Sequence, residues 1–150
     1  DAVATVFRQM AMNRFEYLVH TRRRSQGELS VEDLSAAWVE SQGEMLGDAV
    51  EITEGYHRWW SYIPHFVNTP GYVYAYAYGH LLALSIYGRY RELGEELVPR
   101  YLELLGAGGS RTPERLGEIV GIDLADAGFW DAGLELVDQQ LREAEALAAR

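Results

Sequence analysis

The 150-residue sequence contains no cysteine and no lysine. Without cysteine there is no disulfide framework, no thiolate nucleophile and no cysteine-ligated zinc, which fits a reducing compartment and leads to the expectation of a cytoplasmic protein. Arginine supplies all 13 basic residues against 23 carboxylates, for a formal net charge of -10. Such a surface repels nucleic acid and anionic membranes, which are bound through clustered cations, so neither is an expected partner. No apolar run approaches the roughly 20 residues of a membrane span, and the first segment is amphipathic and charged, unlike a signal peptide. None of the four histidines, His20, His57, His65 and His80, stands in an H-E-x-x-H frame, the pattern that places two imidazoles on one helical face around zinc. Nor does any serine sit in a nucleophile elbow. The sequence carries no complete zinc site and no visible covalent nucleophile.

What is present is apolar and aromatic: 48% hydrophobic residues and 12% aromatic ones, enough for one core. One domain, or one part of a larger domain, is expected, with no boundary inside 1–150. A helical stripe of Val3, Phe7, Met10, Ala11 and Leu18 is already running where the chain opens at Asp1. The natural start is therefore expected upstream, and the chain is expected to be a fragment.

Periodicity predicts helices throughout. The first runs from about Ala2 to Arg24 and closes on Arg22, Arg23, Arg24 and Gly27; the triple arginine could form an anion or carboxylate site, but such residues commonly just complement the negative end of a helix dipole. Ser30 and Asp33 form a capping arrangement for a second helix, with Leu34, Ala37, Trp38, Ser41 and Met45 on one face, ending near Gly47. Between 48 and 69 the chain is densely aromatic and interrupted by Pro64, with Pro70 just beyond, which predicts a short helix over Gly55 to Ile63 and then a loop. From Gly71 to Leu93 two periods compete. Tyr72, Tyr74, Tyr76 and Tyr78 alternate as in a strand, yet 72, 76, 80, 83, 87 and 90 follow a helical period, and a lone strand would leave its backbone unpaired. Helix is the reading, apolar on most sides and so expected to be the central buried element. Glu95 to Leu105 is a further helix stopped by Gly106, Gly108 and Gly109, a loop without the lysine or preceding strand of a phosphate-binding motif. Thr112, Pro113 and Glu114 start another that ends by Gly121, and a last helix after Asp126 bears the stripe Trp130, Leu134, Val137, Leu141, Ala144 and Ala148. The fold class is all-α, a helical bundle.

Chemistry concentrates in one stretch, from Ile63 to His80. Aromatic residues at helical spacing commonly make core, and a histidine on an apolar face is commonly a hydrogen-bonded core residue. Four tyrosine hydroxyls beside a loop bounded by proline and glycine are nonetheless more polar groups than a plain core needs, and they could serve as donors.

The run Ile63-Pro64-His65-Phe66, through Tyr72-Val73-Tyr74-Ala75-Tyr76-Ala77-Tyr78-Gly79 to Leu81-Leu82-Ala83-Leu84, resembles the segment downstream of the zinc motif in the oligoendopeptidase F family of thimet-like and neurolysin-like metallopeptidases. The flanks resemble it in the same order: Ala4-Thr5-Val6-Phe7-Arg8-Gln9, Arg14-Phe15-Glu16, Tyr101-Leu102, Gly108-Gly109-Ser110, Gly121-Ile122-Asp123, then Phe129-Trp130 and Gly133-Leu134. Gly71 departs from the family, in which a bulky aromatic is expected there.

The resemblance implies the C-terminal part of a clam-shaped, helical, zinc-dependent endopeptidase that hydrolyses short peptides in a deep channel. It implies zinc in the parent enzyme, held upstream by H-E-x-x-H and a further glutamate, with no ligands in this chain, so the 150 residues alone are expected to be inactive. It assigns His65 and Tyr76 as catalytic donors to the scissile carbonyl, and Tyr72 and Tyr74 as substrate-binding residues. On one helix Tyr72 and Tyr76 share a face and Tyr74 points away, unless the lead-in is not helical. The implied partners are short peptides and the N-terminal part of the same protein. The competing expectation is a non-enzymatic helical binding or dimerisation module that self-associates through exposed apolar surface.

Overall fold

A computed structural model describes residue 2 and residues 4–149, and these form helices and turns with no strand. Val3, the first position of the predicted stripe, lies outside the described residues. The all-α expectation holds. No helix among the described residues is long and apolar enough to cross a membrane. The chain divides into two compact units, one ending at Tyr78 and the other beginning at Gly79.

In the first unit a π-helical turn, Ala4–Arg8, leads into α1 (Gln9–Gln26), which buries Ala11, Met12, Phe15, Glu16 and Leu18. Gly27, at φ 89°, ends it. Helix α2 (Val31–Leu46) starts on a full capping box: the Asp33 amide donates to Ser30 Oγ at 3.1 Å, and the Ser30 amide donates to Asp33 Oδ2 at 2.9 Å. A hydrogen bond from the Ser30 hydroxyl to Asp33 Oδ2 at 2.7 Å, and after it the one from the Ser30 amide, hold the Asp33 carboxyl below the usual carboxylate range. The predicted stripe is found, with Ala37, Trp38 and Ser41 buried. Trp38 meets the edge of Phe15 at 5.4 Å, and Phe66 lies 4.8 Å from Phe15. Two polar groups on α2 find partners, while the buried Trp38 Nε1 has none: Tyr56 donates to Gln42 Oε1 at 3.1 Å and the Trp60 indole donates to Ser35 at 3.3 Å. Arg22, from the triple arginine, pairs with Glu40 across α1 and α2.

The region after α2 differs from expectation in two respects. Instead of one helix over Gly55 to Ile63 there are two 3-10 turns, Glu54–Tyr56 and Trp59–Tyr62. Pro64 disfavours helical backbone at the residue before it, and Ile63 is accordingly extended at ψ 105°. The expected loop is instead the helix α3 (Pro64–Asn68), because proline at the first helical position lacks only an amide that has no helical partner anyway.

Helix α4 (Tyr74–Leu93) starts three residues past Gly71, later than predicted. It is not the buried centre that its composition suggested. Tyr74, Tyr76, Tyr78, Tyr87 and Tyr90 are all exposed, while Ala77 and Ser85 are buried. A phenol ring can sit at the surface with its hydroxyl in polar surroundings, so this helix buries its small residues and leaves the tyrosines outward.

In the second unit a 3-10 turn, Gly94–Glu96, leads to α5 (Val98–Ala107), which Gly108 ends at φ 50°. Helix α6 (Pro113–Ile119) follows Thr112, and α7 (Ala127–Ala148) is capped by Asp126, whose carboxylate accepts from the Gly128 amide at 3.0 Å. Leu97, Val120 and Ile122 form the core, with Leu82, Ile86, Leu104 and Phe129 against them. Along α7 Gly133 and Val137 are buried; of the predicted stripe Val137 is buried, Trp130 and Leu141 are half-buried, and Leu134, Ala144 and Ala148 are exposed. Glycine sets that face: a Cβ at Gly133 would stand 2.6 Å from Ser85 Oγ and 2.9 Å from the Leu81 carbonyl oxygen.

Candidate functional site

The region from Ile63 to Ala77 is built inside out. Ile63 and Phe66, three residues apart, are the anchors of α3: Ile63 is buried, and Phe66 packs on Phe15 and Trp38. Val73, just before α4, and Ala77 in its first turn are fully or nearly fully buried. The polar neighbours of these anchors are thereby turned outward. His65 is half-buried, while Tyr72 and Tyr76 are exposed by 47% and 39%.

These three side chains meet. His65 Nε2 and the Tyr76 hydroxyl are 2.9 Å apart. The Tyr76 ring stands edge-on to both His65 and Tyr72, with centroids 5.6 Å from each. The Tyr72 and His65 rings are parallel, with centroids 6.4 Å apart. Because Tyr72 precedes α4, it reaches the cluster from the turn before the helix while Tyr76 reaches it from the helix. Tyr74, at the helix start, is 51% exposed and makes no ring contact or hydrogen bond among the described residues.

The tautomer of His65 decides what the pair does. With the proton on Nε2, the imidazole donates to the phenol oxygen and leaves the Tyr76 O–H free to donate outward; with Nε2 bare, Tyr76 spends its proton on the imidazole. The first arrangement makes Tyr76 a polarised, oriented donor at an open surface.

The other histidines do not join. His20 is exposed, His57 lines a different cavity with Ser35 and Arg58, and His80 is half-buried with Nε2 unpartnered. Among the described residues no three His, Cys, Asp or Glu side chains come together as a metal-ligand set. The described residues therefore do not fit a zinc ion.

Sequence reasoning missed one participant. Glu16 on α1 is 5% exposed, and its Oε1 accepts from the Gly71 amide at 2.7 Å. The available signal was its spacing, four residues after Met12 on the core face, where a carboxylate is out of place.

Residues 1–136 match the model of Peptidase family M3. The chain belongs to this peptidase family. It is 32% identical over 143 residues to "Oligopeptidase PepF" of Bacillus subtilis, covering 95% of this chain and 21% of that protein. It is 33% identical over 124 residues to "Oligoendopeptidase F homolog" of Borreliella burgdorferi, covering 83% and 21%. Against "Oligoendopeptidase F, plasmid" of Lactococcus lactis subsp. cremoris it is 30% identical over 146 residues, covering 97% and 24%. The resemblance read from residues 63–84 and their flanks is the relationship that these family matches show. The chain spans 21% to 24% of the length of these relatives. No solved structure matches it.

Proposed function

We propose that this chain is the substrate-gripping part of a zinc-dependent oligopeptidase that hydrolyses short peptides, with the metal ligands held by polypeptide outside this sequence. Both compact units are read as belonging to one peptidase domain, in a cytoplasmic enzyme whose partners are short peptides and the remainder of the same protein. The single observation that carries the reading is the hydrogen-bonded pair of His65 and Tyr76, flanked by Tyr72 and open to solvent.

In this reading the Nε2–H of His65 donates to the phenol oxygen of Tyr76, and the Tyr76 hydroxyl donates to the scissile carbonyl. As that carbonyl oxygen gains negative charge, the donor binds it more strongly than it bound the ground state; one such donor supplies about 3 to 4 kcal/mol of barrier lowering. Tyr72 offers a second hydroxyl and a flat ring wall for the peptide. Tyr74, standing apart, contributes least. The chemistry a bound zinc supplies, activation of water, belongs to the other segment.

A second reading, a helical docking module, has its own support in an apolar groove of about 520 Å³ between α4 and α5, lined by Leu82, Ile86, Tyr87 and Tyr101. Enzyme assays separate the two. In the full-length enzyme, His65→Ala is expected to lower kcat by roughly 10²- to 10³-fold with KM little changed. The isolated 150 residues with added zinc are expected to show no chelator-sensitive cleavage of a quenched peptide. Full activity in His65→Ala contradicts the donor role, and robust turnover by the isolated chain contradicts the placement of the metal ligands.

A further inference from the structure

We infer that Glu16 is a positioning residue for the His65, Tyr72 and Tyr76 cluster: its buried carboxylate fixes the left-handed turn at Gly71 that delivers Tyr72 to its partners. The inference rests on the proposed role of that cluster.

The turn between α3 and α4 joins the two elements that carry the cluster, so its shape sets the distance between His65 and the tyrosines. Gly71 adopts φ +76° there, a conformation that L side chains rarely take, and no atom within 4 Å of its notional Cβ holds it by packing. Two restraints act on the turn. Val73 is wholly buried two residues on, and the Gly71 amide donates to Glu16 Oε1 at 2.7 Å. Glu16 is itself rigidly placed, since its neighbour Phe15 is 3% exposed and packed against Trp38 and Phe66. Tyr72, between the two restraints, has its backbone direction defined from both sides.

A carboxylate taken out of water loses hydration that hydrogen bonds must replace. Glu16 recovers one short bond, and its Oε2 is buried with no hydrogen-bond partner. Asn13, Tyr17, His20 and Arg24 line a cavity of about 240 Å³ beside it, and none of them bonds to it. For stability alone an apolar residue at this core-facing position of α1 serves at least as well. What an apolar residue does not supply is an acceptor for the Gly71 amide.

The test uses the full-length enzyme and a quenched peptide substrate, with kcat, KM and amide exchange across residues 69–73 measured together. Glu16→Ala is expected to lower kcat about 10- to 100-fold with KM within about 3-fold, as for a displacement of roughly 1 Å in a donor. The Gly71 amide should exchange faster. Glu16→Gln keeps an acceptor oxygen and is expected to stay within about 3-fold of the parent in kcat. Glu16→Asp keeps the charge but withdraws the oxygen by one methylene, and is expected to resemble Glu16→Ala. Parent-like kcat in Glu16→Ala overturns the inference, as does a Glu16→Gln enzyme as slow as Glu16→Ala. If Glu16→Ala does not fold, parent-like kcat in Glu16→Asp overturns it. His65→Ala in the same assay separates the two claims: unchanged kcat there removes the donor cluster itself, whereas a drop there beside an unaffected Glu16→Ala removes only the positioning role.

Discussion

The two compact units hold themselves together differently. The first buries large rings: Phe15, Trp38 and Phe66 meet at centroid distances of 4.8 to 6.2 Å, with Ile63 and Val73 closing the cluster. The second has a small core of Leu97, Val120 and Ile122, brings α7 onto α4 through a glycine, and leaves Tyr87, Tyr101, Leu102 and Leu105 exposed. The contrast tracks the proposed chemistry. A donor cluster needs fixed positions: His65 and Tyr72 are each adjacent in sequence to a residue packed in the aromatic core, Phe66 and Val73, and Tyr76 is adjacent to the buried Ala77.

The comparison is broken most severely at Phe15. Phe15→Ala removes a 3%-exposed ring from the middle of the first core and is expected to destabilise that unit by about 3 to 5 kcal/mol in denaturant unfolding. A loss under 1 kcal/mol would mean that the rings are not the support they are taken to be. Gly133→Ala probes the other unit, where the added methyl meets Ser85 Oγ and the Leu81 carbonyl; a loss of about 1 to 3 kcal/mol is expected. Adding Ser85→Ala should recover only part of it, because the carbonyl contact remains.

A smaller effect is expected from acid. The Asp33 carboxyl titrates below its ordinary value of 3.8 in the folded protein, chiefly through the Ser30 hydrogen bonds. Its contribution is therefore complete above 3.8 and is lost as pH falls through the lower folded value. Ser30→Ala should flatten the acid limb of a stability-versus-pH curve, and an unchanged limb would show that the capping box is not its source. The smallest effect is expected at Leu102, 60% exposed on α5, where Leu102→Ser should change stability by no more than about 0.5 kcal/mol.

Much of this was legible in the sequence because local rules agreed with one another. The Ser30 and Asp33 box, Pro113 after Thr112, and the stripe of Ala37, Trp38 and Ser41 all required only short-range chemistry. The helical reading of residues 74–93 survived a competing strand-like alternation. What was not legible depended on contacts across the chain. Pro64 read as a breaker when it starts α3, and Leu134 read as core because a glycine one residue earlier gave no hydrophobic signal. The same limit hid Glu16, whose partner Gly71 lies 55 residues away. Within the candidate site, His65 and the tyrosines were identifiable by type, and helical spacing already set Tyr74 apart from Tyr72 and Tyr76; the later start of α4, which leaves Tyr72 outside the helix, was not legible.

The most direct measurement is a side-by-side determination of kcat for Tyr76→Phe and Tyr74→Phe in the full-length enzyme. Each substitution removes one hydroxyl and nothing else. Tyr76→Phe is expected to lose roughly 10²- to 10³-fold while Tyr74→Phe stays within a few-fold of the parent. Equal rates in the two variants, or the reverse order, would contradict it.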